Sequence, residues 1–292
     1  MKTALITGAT SGIGEACAHL FAQQGYRLVL VARREEKLQE ISKHFSGKYA
    51  VEIKTLVADV RVKAELTNVL EGLPAEWKNI DVLINNAGLS QGLEPIDQGN
   101  TDDWDTMIDT NVKGLLYVTK IVSNWMTAAK RGHIINIGSI AGKEVYPNGN
   151  VYCATKHAVD ALNIGMRMDL LPYGIKVTAI NPGMVETEFS KVRFKGDEEK
   201  AKKVYDGFDP LQALSAPRFL LGRTFSDSRD NLKIEASVGQ DVVRDLASRG
   251  HEVIEIEALS PLSGQAGVIM IKADGSIEGA HDPRSDGCAI GV

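Results

Sequence analysis

The run GNVYCATKHAVDAL places Tyr152 and Lys156 four residues apart, so a helix would present both on one face. A free phenol titrates near about 10 and is a poor proton donor or acceptor at neutral pH. A neighbouring ammonium stabilises the phenolate and brings that value toward a useful range. The pair alone is weak evidence, because the same spacing arises by chance on many helix surfaces. Two further residues sharpen it. Ser139, in NIGSIAG just past an apolar run, can steady a developing alkoxide. Asn111, in DTNVKG within a helical pattern, can hold a water that relays protons.

A second constellation lies at the start of the chain. TALITGATSGIGEACAHLFAQQG reads as strand, glycine-rich turn and helix. Gly8, Gly12 and Gly14 permit tight backbone geometry and close approach of a pyrophosphate, whose charge the N-terminus of the following helix favours. The spacing is GxxxGxG rather than the commoner GxGxxG, and a purely structural turn is the competing reading. The second strand decides which dinucleotide fits. An NAD site places an acid roughly 20 residues after the turn, at the ribose 2′-hydroxyl. Here VLVARRE has Ala32 at that point, followed by Arg33 and Arg34. Guanidinium groups suit a 2′-phosphate through paired, charge-assisted bonds. The competing reading is that the arginines only solvate a helix start. The residues therefore favour NADP, with Asp59 at the end of LVADV placed to meet the adenine edge.

Both constellations need a scaffold that brings strand ends together. Six short apolar runs, ALIT, RLVLVA, EIKTLVA, DVLINNA, HIINIG and KVTAINPG, alternate with longer segments of helical spacing. That rhythm predicts parallel βαβ units, strands buried on both faces, and a Rossmann-type doubly wound α/β fold. Right-handed crossovers then put the ligand-binding loops at the carboxyl ends of the strands.

At this point the sequence resembles the short-chain dehydrogenase/reductase family. The resemblance rests on TGATSGIG (7–14), NNAG (85–88), Asn111, Ser139, YCATK (152–156) and NPGMVET (181–187), in the family's order and spacing. It implies that Asn111, Ser139, Tyr152 and Lys156 form a catalytic tetrad, with Tyr152 the general acid/base and Lys156 also holding the nicotinamide ribose. It extends the cofactor-binding set to Thr10, Ser11, Ile13, Val60, Asn86, Ala87, Gly88, Pro182, Gly183 and Val185. Thr187 is expected at the carboxamide. A narrower resemblance, in LPAEWKNIDVLINNAGLSQGLEPIDQ, DWDTMIDTNVKGL and TEFSKVRFKGD, is to the NADP-dependent 3-hydroxy acid dehydrogenases. It implies substrates such as serine, allo-threonine, or 3-hydroxypropionate with its oxidised partner malonic semialdehyde. Ser139 and Tyr152 would meet the reacting oxygen and Arg193 the carboxylate; a solvated arginine in a mobile lid is an equal reading of Arg193.

The resemblance covers residues 1–211. Beyond it the rhythm changes: QDVVRDLASRG reads as a helix, HEVIEIEAL as a strand, and VIMIKADGSIEGA as a hairpin turning at Asp-Gly. QALSAPRF, RGHEVIEIEALSPLSGQAGVIMI and GSIEGAHDPRSDGCAIGV resemble the C-terminal end of the γ-glutamyltranspeptidase family. The seam is expected at Leu211–Gln212. This predicts a chimera: an NADP-binding domain over 1–211 lacking its last strand, and a smaller α+β tail over 212–292. The resemblance implies that the transpeptidase nucleophile lies upstream of the tail, so no amide-transfer residue is carried over. Asp282, Arg284 and Asp286 fit local turn chemistry, and His251 and His281 lack metal-ligand spacing.

Composition bounds the remaining classes. With 292 residues, 43% of them hydrophobic and 24% charged, the chain reads as a soluble globular protein. A net charge of −5 gives no electrostatic reason to expect nucleic acid or an anionic membrane surface. No run approaches the roughly 18 apolar residues of a membrane span. Cys17, Cys153 and Cys288 are widely separated and suit a reducing, cytoplasmic setting. A family-like homo-oligomer and a small-molecule substrate are expected. The principal functional alternative is an NADP(H)-binding module without turnover.

Overall fold

A computed structural model of the chain describes residues 1–185, 187–203, 219–221, 231–259, 267–271 and 277–281. The chain divides into two compact units, Met1–Val204 and Tyr205–Val292. The expected seam at Leu211–Gln212, and the Asp282, Arg284 and Asp286 turn, lie outside the described residues.

In the first unit, the six apolar runs form β1 (Thr3–Thr7), β2 (Arg27–Ala32), β3 (Ile53–Val57), β4 (Val82–Asn85), β5 (Gly132–Ile137) and β6 (Ile175–Ile180). They pair in the order β3-β2-β1-β4-β5-β6, and every pairing is parallel. Strand order reverses between β1 and β4, which opens a crevice at their carboxyl ends.

Side-chain alternation divides the interior into two layers. Leu5, Val29 and Val31 face a cluster with Leu66, Leu70, Val118 and Val122. These come from α3 (Lys63–Glu71) and α5 (Leu115–Ala129). Ala4, Ile6, Leu28 and Leu30 face the opposite cluster, with Ala18, Ala22, Leu38, Ile41 and Phe45. Those belong to α1 (Gly12–Gln23) and α2 (Glu35–Tyr49). Adjacent residues of one strand thus feed opposite faces, and β1 is buried throughout.

The helix expected around Asn111 is interrupted. α4 (Thr101–Ile108) is capped by the Asn100 side chain, which accepts from the amides of Asp102 and Asp103. It runs into a π-helical turn, Asp109–Gly114, before α5 begins. Such a turn re-aims the residues within it relative to a continuous α-helix. The first unit is completed by α6 (Asn150–Leu170), α7 (Glu188–Arg193) and α8 (Glu198–Lys203).

In the second unit, β7 (Phe219–Leu221) pairs antiparallel with β8 (Leu232–Glu235). β8 in turn pairs parallel with β9 (Val253–Ile256). α9 (Gln240–Ser248) links β8 and β9. The HEVIEIEAL run, expected as a strand, supplies β9 and takes β8 as its neighbour. β8 was not foreseen: it is only four residues long, and the charged members of its Leu-Lys-Ile-Glu alternation, Lys233 and Glu235, are buried. The expected hairpin forms from β10 (Gly267–Ile271) and β11 (Ile277–His281), with Met270 opposite Glu278. No helix among the described residues is long and apolar enough to cross a membrane.

Candidate active site

The glycine turn sits where β1 delivers the chain into the crevice. Gly8 has φ +64° and Gly12 has φ +53°, conformations that side chains other than glycine rarely adopt. A Cβ on Gly14 would collide with the Gly8 carbonyl oxygen and the Asn86 amide. Asn86 is the brace of this turn: its Nδ2 donates to the Thr7 carbonyl at 2.9 Å and the Gly8 carbonyl at 3.1 Å. The amides of Asn86 and Ala87 both donate to Thr7 Oγ1 at 3.0 Å. Thr7 escaped the sequence reading; its signal is a threonine closing a strand directly before the first glycine. Ser11 precedes α1 without a capping bond from its hydroxyl, and Ile13 packs on the apolar layer beneath. The result is a bare backbone cradle, which fits a pyrophosphate.

The two arginines after β2 have different surroundings. Arg34 lies against the glycine turn: its Nε and one terminal nitrogen reach Thr10 Oγ1 at 3.2 Å, and the same terminal nitrogen reaches the Thr10 carbonyl at 3.0 Å. Its other terminal nitrogen bonds Glu188 at 3.0 Å. Arg33 is largely exposed, 3.9 Å from the Asp59 carboxylate. Asp59 is gripped by Arg61, whose Nε lies 3.0 Å from both carboxylate oxygens and whose NH2 lies 2.6 Å from one of them. Burial acts to raise the Asp59 carboxyl, but the bonds and charge of Arg61, with the charge of Arg33, hold it below the ordinary range. Its carboxylate is therefore engaged at the crevice rim, and Val60 beside it is buried. On the far side, Pro182 accepts from the Ile140 amide at 3.0 Å. Thr187 caps α7 through the Phe189 amide at 3.2 Å, and it stands over Gly12.

The four residues expected to react converge on the crevice floor. Asn111, Tyr152 and Lys156 are buried, as is Ser139. Asn111 uses its side chain to bind protein groups. Its Oδ1 accepts from the Leu89 amide at 2.8 Å, and its Nδ2 donates to the Leu89 carbonyl at 2.8 Å and Thr155 Oγ1 at 3.0 Å. It ties the loop after β4 to α6. Gly88 approaches both this amide and the Lys156 amine: a Cβ there would meet Asn111 Oδ1 at 3.3 Å and Lys156 Nζ at 3.6 Å. Ser139 Oγ accepts from the Ala141 amide at 3.1 Å, which leaves its own proton available to donate. Lys156 Nζ donates to the Ile137 carbonyl at 2.9 Å and lies 6.0 Å from the Tyr152 ring centroid.

The charges differ from the simple expectation of an ammonium-lowered phenol. Burial pushes Tyr152 up to about 12, against the opposing effect of the Ser139 hydroxyl. Burial pulls Lys156 down to about 8. Desolvation disfavours both charged forms and is the largest influence on each. A test of stability follows from the lysine. From about pH 8 to its ordinary value of 10.5, Lys156 is neutral in the folded chain and protonated in the unfolded one. The unfolded state binds more protons across that window, so stability rises with pH there. Tyr152 acts oppositely, but only above its ordinary value of 10.0. Urea unfolding midpoints should climb between pH 8 and about 10, and Lys156→Met should remove the climb. Equal slopes for both proteins would refute a buried, depressed lysine.

Beside Tyr152 lies a shallow cleft, lined in part by Gln91, Trp104, Asn148, Asn150 and Arg193. Arg193 is 9% exposed, so it is not a solvated lid residue. Its guanidinium donates to the Gly92 carbonyl and the Tyr146 hydroxyl, each at 3.2 Å. Among the described residues no carboxylate pairs with it. Gln91 is a further lining residue the sequence reading missed, and its buried Oε1 has no partner among the described residues. Phe189 packs on the Tyr152 ring with centroids 5.6 Å apart. Tyr146 and Phe189 carry no motif, and only the fold shows that they border the site.

A parallel sheet with this strand order, a glycine turn after β1 and a buried serine–tyrosine–lysine group define a nucleotide-dependent oxidoreductase. Residues 2–198 match the family model for short chain dehydrogenases, and the chain belongs to that family. Within it, the chain is 48% identical to the NADP-dependent 3-hydroxy acid dehydrogenase YdfG of Salmonella typhi, over 71% of this chain and 82% of the relative. It is 44% identical to the NADP-dependent 3-hydroxy acid dehydrogenase of Schizosaccharomyces pombe, over 72% of this chain and 82% of that one. The closed form of a serine dehydrogenase complexed with NADP+ superposes with TM-score 0.67 at 48% identity, covering 71% of this chain and 82% of the other. Residues 200–292 match the family model for γ-glutamyltranspeptidase, so the chain joins segments of two families.

Proposed function

We propose that the chain is an NADP-dependent dehydrogenase interconverting a small 3-hydroxy acid and its 3-oxo acid, of the serine, allo-threonine or 3-hydroxypropionate type. One observation carries the substrate class: a buried guanidinium, Arg193, with no carboxylate partner among the described residues, borders the cleft that contains Tyr152. A buried cation calls for a counter-charge, and the substrate carboxylate is the group that would supply it. The named relatives, which include 3-hydroxy acid dehydrogenases and a serine dehydrogenase bound to NADP+, point the same way.

The bare glycine cradle would hold the pyrophosphate, with Arg33, Arg34 and Lys37 on the side of a 2′-phosphate. Lys156 and Thr187 would hold the nicotinamide half. When bound, the nicotinamide supplies the hydride acceptor or donor. Ser139, with its proton available to donate, orients the reacting oxygen. Tyr152 exchanges the proton with that oxygen: its protonated phenol gives it up in reduction and its phenolate takes it in oxidation. Lys156, poised near about 8, is the group beside Tyr152 that holds or releases the relayed proton. Asn111 is a positioning residue that keeps the loop after β4 against α6. All these residues lie in the unit Met1–Val204.

The test is NADPH formation from serine and 3-hydroxypropionate by the full chain, set beside the Arg193→Leu variant. Removing one partner of a buried charge pair lowers kcat/KM for the acids by about a hundredfold, mainly through KM. Oxidation of a simple secondary alcohol stays within about threefold, since it makes no use of that pair. Arg193→Lys keeps the charge without the fork and recovers part of the loss. Equal losses on acid and alcohol would defeat the carboxylate assignment. NADPH binding without turnover of any hydroxy acid would favour a cofactor-binding module instead.

A further inference from the structure

The first residue of α7, Glu188, reaches across the crevice to the two cations nearest the glycine turn. One carboxylate oxygen lies 3.0 Å from Arg34 NH1 and the other 3.4 Å from Lys37 Nζ. Arg34 cannot swing freely, because three bonds to Thr10 hold its guanidinium on the rim. These side chains stand where the cofactor reading places a 2′-phosphate, and the inference rests on that reading.

We propose that Glu188 is an internal occupant of the 2′-phosphate site. Its carboxylate holds the Arg34–Lys37 pair until the cofactor's phosphate takes its place, and it thereby sets the discrimination between phosphorylated and unphosphorylated dinucleotides. Two observations support an exchange over a fixed brace. The side chains of Arg34, Lys37 and Glu188 are 44%, 45% and 43% exposed, so water screens the bridge and its net strength is small. A phosphate brings close to two negative charges and three acceptor oxygens, which outcompete one carboxylate for the same cations.

The exchange also reaches the reacting end of the crevice. Glu188 lies between Thr187, which stands over Gly12, and Phe189, which packs on the Tyr152 ring. Freeing Glu188 releases one of the tethers on the first turn of α7, next to the proton-transfer group. An unphosphorylated dinucleotide leaves that tether in place.

The experiment titrates the full chain and its E188Q variant with NADPH and NADH, following nicotinamide fluorescence. Loss of the competing carboxylate tightens NADPH about threefold to tenfold and changes NADH by less than about twofold. Competition by 2′,5′-ADP against 5′-AMP shows the same preference, because it isolates the phosphate. E188A moves in the same direction, which removes any effect peculiar to the glutamine amide. If Glu188 were a clasp closing over bound cofactor, E188Q would weaken NADPH and NADH alike, and the inference would fall. Unchanged NADPH affinity would also overturn it while leaving the cofactor assignment standing. No NADPH binding by either protein would overturn the assignment and the inference together.

Discussion

Replacing Tyr152 by Phe is expected to lower turnover about a thousandfold or more in both directions, while NADPH still binds with unchanged affinity. The expectation is sharp because so little else changes. Phe keeps the ring that packs on Phe189 and that lies beneath the Lys156 amine. It deletes only a buried hydroxyl, so the fold has little reason to suffer. The ligand-free phenol, at about 12, is protonated throughout the neutral range. The wild-type site is thus set to donate a proton, which suits reduction of the 3-oxo acid near pH 7. Oxidation needs the phenolate, so its rate should climb toward alkaline pH. Stopped-flow absorbance at the nicotinamide band, with a parallel fluorescence titration, measures both halves. A Tyr152→Phe protein that turns over at the wild-type rate would remove Tyr152 from the chemistry.

Much of this was legible in the chain because backbone chemistry leaves strong traces. Six apolar runs separated by helical spacing became six parallel strands, and glycines clustered after a strand became a turn that side chains cannot enter. Local spacing also located Tyr152 and Lys156, since four residues on a helix are one turn. What spacing could not convey was environment. The pair is so deeply buried that desolvation moves the phenol up and the amine down, whereas proximity alone argues for the reverse in the phenol. Asn111 carries a task that spacing did not convey: within the π-helical turn its amide bonds the Leu89 backbone and Thr155. Gln91 and Tyr146 act through long-range contacts and had no local pattern to announce them. β8 was hidden because its buried Lys233 and Glu235 contradict the usual inside–outside code.

Gly14→Ala should be among the most damaging single substitutions in the molecule, although helix propensity argues the other way. Gly14 lies in α1, and an interior helical Gly-to-Ala change ordinarily contributes about 1 kcal/mol of stability. Gly47 shows what that gain looks like without obstruction. It lies in α2, and a Cβ there meets nothing within 4 Å, so Gly47→Ala should stabilise the chain by close to that amount. At Gly14 the new methyl meets the Gly8 carbonyl and the Asn86 amide. Neither can simply rotate away: the first is backbone, and the second is held by bonds to the Thr7 and Gly8 carbonyls. Overpacking of this kind costs about 1–3 kcal/mol, and each buried hydrogen bond broken to relieve it adds about 1–3 kcal/mol more. The propensity gain of about 1 kcal/mol is smaller than the two costs together. The turn must shift, and because a displacement of about 1 Å at a binding or reacting group can cost about a hundredfold, NADPH affinity should fall by at least that factor. Fluorescence titration and thermal unfolding of the two alanine variants, side by side, check the pair. A Gly14→Ala protein that melts higher and binds as tightly as its Gly47→Ala counterpart would show that the turn yields where its contacts say it cannot.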